Sequence, residues 1–341
     1  MMLPSSLAYD LSLAAGPVAD HVLLNGGPRT GKPRGEVSGV RTMTLDGFDQ
    51  IADKWTPILK AAGFCIKLVS VFCHSSPQVK FKASAHPKYA VTSTFRQCEL
   101  ADLLIVIDHL DPKGVVDRRA VLVQAKMLKG GALKPSGKEW VQHKLLAWLP
   151  VFTFNSSLYN PAARNLRKAP GLKAQTAEYA GINLSSSAPE WRHELTRKSA
   201  PWFHSAIPLA DYLANMAVGD PSCGRSAIPG GSDDWSFTVD ELLAVTSAQG
   251  MTKASTVFRG NPNIVGFMAA THLPSPSFAS ATPTALQLAQ FSGARESVGG
   301  EGGGGGEGGA DGVDEEDAYW PDGPISTVHM TVGPLDESSN G

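Results

Sequence analysis

The stretch from Cys98 to Met127, CELADLLIVIDHLDPKGVVDRRAVLVQAKM, decides the fold. Two runs of Leu, Ile and Val, Ala101 to Asp108 and Arg119 to Lys126, are bounded by Asp, Pro and Gly. That pattern predicts two strands joined by a polar loop. Asp102 opens the first apolar run, and Gln124 and Lys126 close the second. Side chains alternate faces along a strand, so Gln124 and Lys126 share one face, with Val123 and Ala125 on the other. If the strands pair, a carboxylate, an amide and an ammonium meet at one end of a sheet. Such a set can hold a divalent cation and position a water beside a phosphate.

Elements predicted on either side extend this picture. Leu45 to Ala62 has Phe48, Ile51, Trp55, Ile58 and Leu59 at helical spacing, with Asp46 as the expected N-cap and Gly63 as the stop. Phe64 to Cys73 reads as a strand, Glu139 to Trp148 as a short amphipathic helix, and Val151 to Phe154 as a further strand. Pro208 to Ala217 and a segment capped by Asp233 read as helices. A strand is expected near Ile264, and Ile325 to Val332 alternates as a terminal strand would.

Asp102 followed by Gln124-Ala125-Lys126, in the order helix, strand, strand, strand, helix, strand, resembles the PD-(D/E)xK nuclease superfamily in its QxK form. The resemblance covers roughly Leu45 to Phe154. It implies an α/β, restriction-endonuclease-like core with a mixed central sheet flanked by helices. It also implies a metal-dependent endonuclease that hydrolyses phosphodiester bonds in DNA. Asp102, Gln124, Lys126 and Glu99 are then the catalytic candidates. Asp102, the Gln124 oxygen and the Ala125 carbonyl would hold Mg2+ or Mn2+, and Lys126 would orient the water. Gln124 stands where the family usually has an acid, so a catalytically inactive nucleic-acid-binding or assembly module is the alternative. Gln78-Val79-Lys80 is a second, lower-ranked QxK. His109 and His143 are read as a loop and a helix-face histidine, and Asp108 as a turn residue.

Charge is distributed unevenly behind a net charge of -2. From Lys113 to Lys173 basic residues dominate, with only Asp117 and Glu139 as acids. Arg118, Arg119, Lys129, Lys134 and Lys138 are the candidates for contacting DNA phosphates. From Glu296 onward the chain carries acids but no Lys or Arg, and residues 292–318 form a Gly-rich acidic linker. That composition predicts disorder: a tail that serves to solubilise the chain, or one whose charges compete with DNA for the basic segment. The expected organisation is an extension (1–38), a nuclease-like core (39–155), a second mixed subdomain (156–291), the linker and a C-terminal segment (319–341).

Other classes are disfavoured. Cys65, Cys73, Cys98 and Cys223 form no CxxC pair, which predicts reduced thiols, a cytoplasmic location and no zinc site. No run reaches membrane-spanning length, and Leu11 to Val18 is interrupted by Gly16 and Pro17. Gly26-Gly27-Pro28-Arg29-Thr30-Gly31-Lys32-Pro33 has the frame of a phosphate-binding loop, which would make the protein a nucleotidase using Lys32. Pro33 replaces the magnesium-binding Ser or Thr of that motif. A homodimer, or a partner protein in a defence or repair system, fits the nuclease reading.

Overall fold

The computed structural model describes residues 2–73, 77–82, 95–128, 139–168, 176–185, 187, 189–195, 206–248, 256–258, 261–268 and 323–335. The chain forms an α/β structure in which a mixed sheet is covered by helices on both faces. In chain order the helices are α1 (Leu7–Asn25), α2 (Glu36–Thr42), α3 (Phe48–Ala61), α4 (Glu139–Trp148), α5 (Leu209–Ala217) and α6 (Asp234–Ser247). The strands are β1 (Phe64–Phe72), β2 (Gln78–Lys82), β3 (Phe95–Glu99), β4 (Leu103–Asp111), β5 (Gly114–Met127), β6 (Phe152–Phe154) and β7 (Ala177–Asn183). They continue with β8 (Glu190–Leu195), β9 (Ile207–Pro208), β10 (Arg225–Ser226), β11 (Thr256–Phe258), β12 (Asn261–Met268) and β13 (Ser326–Pro334).

The main sheet runs β11-β12-β1-β13-β4-β5-β7-β8-β9, with β10 paired to β5. At its centre β4 and β5 form an antiparallel hairpin in which Leu103 faces Val123 and Asp108 faces Arg118. The strands run further toward each other than the polar-loop reading allowed, because Leu110–Val115 and Asp111–Gly114 also pair, leaving a tight turn. Both flanks of the hairpin are parallel. β13 runs with β4 and β7 runs with β5. The parallel step from β5 to β7 requires a crossover, and α4 lies in it.

Alternation along the strands builds two cores. Leu103, Ile105, Val121, Val123 and Ala125 face α1, α3 and α5, whereas Leu104, Val106, Ala120 and Leu122 face α4 and α6. The second core also receives Val79, Phe81, Phe152 and Phe154 from a separate sheet of order β3-β2-β6. The strand expected over Val151 to Phe154 therefore exists, but it joins this small sheet instead of the central one. The central position beside β5 belongs to β7, a segment for which no strand was expected.

The first 38 residues, expected as an extension, supply α1 and the start of α2. Leu11, Ala15, Val18 and Val22 make a buried stripe at helical spacing, and the Trp55 indole N–H donates to the Leu11 carbonyl at 2.8 Å. Pro17 lies inside α1, where it removes one helical hydrogen bond. Burial of that stripe outweighs the proline, so the expected break does not occur. The helix expected from Leu45 starts instead at Glu36 and passes through a π-helical turn, Met43–Gly47, into α3.

Asp46 is thus inside a helical run instead of capping one. It is buried and accepts from the Arg29 amide at 3.1 Å and the Thr30 hydroxyl at 2.6 Å. The phosphate-loop frame is consequently filled by the chain's own carboxylate. A Cβ on Gly27 would lie 2.2 Å from the Asp46 Cβ, so the closeness of this approach requires glycine. Helix α2 begins beyond Lys32, and the loop does not deliver its donors to a helix N-terminus as a phosphate site demands.

The C-terminal alternating segment is a strand, as expected. Its place is central, since β13 pairs with β1 on one side and β4 on the other. α4, α5 and α6 match their predicted segments, and Asp233 caps α6 by accepting from the amides of Trp235 and Ser236 at 3.1 and 3.0 Å. The strand near Ile264 is β12, parallel to β1. The Gly-rich acidic linker, 292–318, lies outside the described residues.

Candidate functional site

Asp102 immediately precedes β4 and its amide donates to the Val123 carbonyl at 3.0 Å, which sets it opposite Gln124 on β5. Its Oδ2 accepts from the Gln124 Nε2 and from the Ala125 amide, the latter at 2.7 Å. The predicted pair of strands is therefore adjacent, and Asp102 and Gln124 are in direct contact. Two residues further along β5, the Lys126 Nζ is 2.7 Å from Glu36 Oε1. Glu36 stands in the first turn of α2, where Ser38 accepts from the amides of Arg34 and Gly35 at 2.9 Å each and fixes the helix start.

The site's electrostatics follow from burial. Removal from water, then the Glu36 and Glu99 carboxylates, push the Asp102 carboxyl well above the ordinary aspartate range, against the opposing pull of Lys126. Burial likewise raises Glu36 despite its lysine partner. Burial draws the Lys126 ammonium down, but Glu36 and Asp102 outweigh it, so its pKa stands above the ordinary lysine value. Lys126 is a held positive charge in a cluster with a net excess of carboxylates.

Glu99 ends β3 in the small sheet and is exposed. It acts on Asp102 through its charge. Its backbone carbonyl accepts from Gln142 Nε2 at 3.4 Å. Gln142, on α4, also donates to Gln124 Oε1. Periodicity missed both Glu36 and Gln142. The available signals were an acid in a first helical turn for Glu36, and for Gln142 a polar residue on the face of Leu145 and Leu146.

The expected cation needs oxygen ligands. Here Gln124 turns its nitrogen toward Asp102, while its oxygen accepts from Gln142. Among the described residues no three His, Cys, Asp or Glu side chains are gathered so as to hold a metal ion. As arranged, the donor set does not fit a divalent cation.

Other candidates lie elsewhere. Arg118, expected to contact DNA, is 1% exposed and donates to Asp108 at 2.5 and 2.8 Å and to Asp240 at 2.6 Å. Asp108, expected in a turn, is buried as its partner, because β4 continues to Asp111. Arg119 is part-buried beside Asp117 and the carbonyls of Asp220 and Gly224. Lys129, Lys134 and Lys138 lie outside the described residues.

The second QxK is on β2 of the small sheet. His109 is in β4 rather than a loop, with Nε2 2.6 Å from the Ala217 carbonyl. His143 lies on α4, stacked against Tyr179. None of the four cysteines is in a disulfide, and burial pushes Cys98 and Cys223 up to about 12, so neither of these two is a ready nucleophile. Among the described residues no helix is long and apolar enough to cross a membrane.

No protein-family model, no curated protein and no solved structure matches this chain at a significant level.

Proposed function

We propose that this is a nuclease-like protein of the PD-(D/E)xK type, with a restriction-endonuclease-like centre formed by β4, β5, α4 and β7, acting on phosphodiester bonds in DNA. The observation that carries the reading is the meeting of Asp102 with Gln124-Ala125-Lys126 at one end of an antiparallel pair, joined by Glu36 from α2. Lys126, held charged by two carboxylates, is suited to offset negative charge developing on a phosphate oxygen. Asp102 retains a proton more readily than an ordinary aspartate and is oriented by two N–H donors, the attributes of a group that exchanges protons with a reacting centre. Glu36 replaces Glu99 as the second acid in direct contact with the motif.

Dependence on Mg2+ or Mn2+ belongs to this reading, whereas the donor set as it stands is closed on itself. That closure favours a second reading, a catalytically inactive module that retains the fold and binds nucleic acid or a partner protein. Plasmid cleavage with and without Mg2+ or Mn2+, on the wild type and the Asp102→Ala and Lys126→Ala variants, separates the two. The nuclease reading expects metal-dependent cleavage lost in both variants. DNA binding without cleavage, equal in all three proteins, would establish the binding module.

A further inference from the structure

Two oxygens that serve as acceptors, the Glu99 carbonyl and Asp102 Oδ2, which also takes the Ala125 amide at 2.7 Å, lie at the two ends of a chain of side-chain amides. Gln142 Nε2 donates to the Glu99 carbonyl at 3.4 Å and to Gln124 Oε1, and Gln124 Nε2 donates to Asp102. An amide carries its donors on one end and its acceptor on the other, so the two terminal acceptors fix the direction of both amides. Gln124 and Gln142 are 1% and 7% exposed, which leaves little water to substitute for either partner. Reversing Gln124 alone would set its NH2 against the NH2 of Gln142 and its oxygen against Asp102.

We propose that Gln142 is a positioning residue: it commits Gln124 to donate to Asp102 and thereby withholds the Gln124 oxygen from any cation at this site. The inference rests on the site proposed above and changes the role of its central residue. Gln124 orients the carboxylate of Asp102, and the second amide, on a different element, determines that role. Cooperative polarisation along the chain strengthens the bond to Asp102 while Gln142 is in place. A cation drawing on Gln124 must break the Gln142 bond, so removal of Gln142 lowers the cost of binding.

The test uses the full chain and two readouts. The first is the side-chain amide NMR signals of Gln124 in metal-free protein, comparing wild type with Gln142→Met, a neutral change of similar size. Loss of the Gln142 donor is expected to move the Gln124 carbonyl signal and to speed exchange of its NH2 protons. Unmoved Gln124 signals would overturn the proposal. Gln142→Glu, of equal length and able only to accept when ionised, should move the same signals and serves if the Met variant does not fold. The second readout is calorimetric titration with Mn2+, where Gln142→Met is expected to bind more tightly by about 2- to 10-fold, the scale of the one neutral hydrogen bond that no longer has to be broken. Equal or weaker binding than wild type would overturn the withholding role. If neither protein binds Mn2+ while the Gln124 signals do move, the withholding role and the metal-dependent reading both fail and the positioning of Gln124 alone stands.

Discussion

His329 and Asp108 are 221 positions apart in the chain, and His329 Nε2 lies 2.9 Å from Asp108 Oδ2 in the core. The contact joins β13 to β4 across the middle of the sheet. Asp108 also holds Arg118, which in turn holds Asp240 on α6. Burial opposes ionisation of Asp108, but His329 and Arg118 outweigh it and hold the carboxyl below the ordinary range.

Replacing Arg118 tests whether this cluster is internal or a DNA contact. Arg118→Met leaves two carboxylates facing an apolar neighbour, and breaking a buried pair of this kind costs about 3–5 kcal/mol. Urea denaturation should show a loss of that order. A variant of unchanged stability but weakened DNA binding would return Arg118 to the nucleic-acid surface.

Deleting residues 323–341 removes β13 and leaves β1 and β4 without their shared neighbour. The expected product is unfolded or insoluble, read by circular dichroism and gel filtration. An internal deletion of residues 292–318 keeps β13 and is the proper probe of the acidic charges. If those charges compete with DNA, this deletion raises affinity at low salt, and the gain shrinks as ionic strength passes about 0.15 M.

Asp49 gives a pH dependence with a definite sign. Burial raises its carboxyl from 3.8 to about 6, with the Arg29 guanidinium opposing the shift, and Ser70 donates to it at 3.1 Å. The folded state therefore binds this proton more tightly than the unfolded state. The Asp49 contribution is most favourable below 3.8 and declines as pH rises to about 6, at a limiting slope of about 1.4 kcal/mol per pH unit. Asp49→Asn removes this component. The difference in unfolding free energy between variant and wild type should shift in the variant's favour from about pH 4 to about pH 7. A difference constant across that range would show that Asp49 does not titrate there.

Glu36→Gln removes the charge partner of Lys126. The pair is part-exposed, so stability should change by no more than about 1 kcal/mol. Lys126, released from the carboxylate that raises it, should lose protons at lower pH and react faster with an amine-directed reagent, measured by mass spectrometry of the Lys126 peptide. An unaltered labelling rate would mean that Glu36 does not govern this lysine.

Several elements were legible because the signal was local. The strands of the Cys98 to Met127 stretch, α4 and α5 carry their own apolar patterns, and α6 carries its own cap, Asp233. Asp102, Gln124 and Lys126 were placed together because strand parity and end position are properties of sequence. Glu36 and Gln142 were not. Glu36 is 90 positions from Lys126, and Gln142 is 18 from Gln124, and no period relates either pair.

The sequence by itself determined which faces of β4 and β5 are apolar, where the polar residues sit on them, and that the chain's end contains a strand. Tertiary structure decided what lies beside them. β13 takes the place between β1 and β4 and brings His329 to Asp108, β7 takes the place beside β5, and Arg118 turns inward to meet Asp108 and Asp240. The physical reason is that burial and hydrogen bonding are satisfied by whichever group the folded chain brings near. Alternation fixes which way a side chain points, and only the assembled sheet supplies the group it meets.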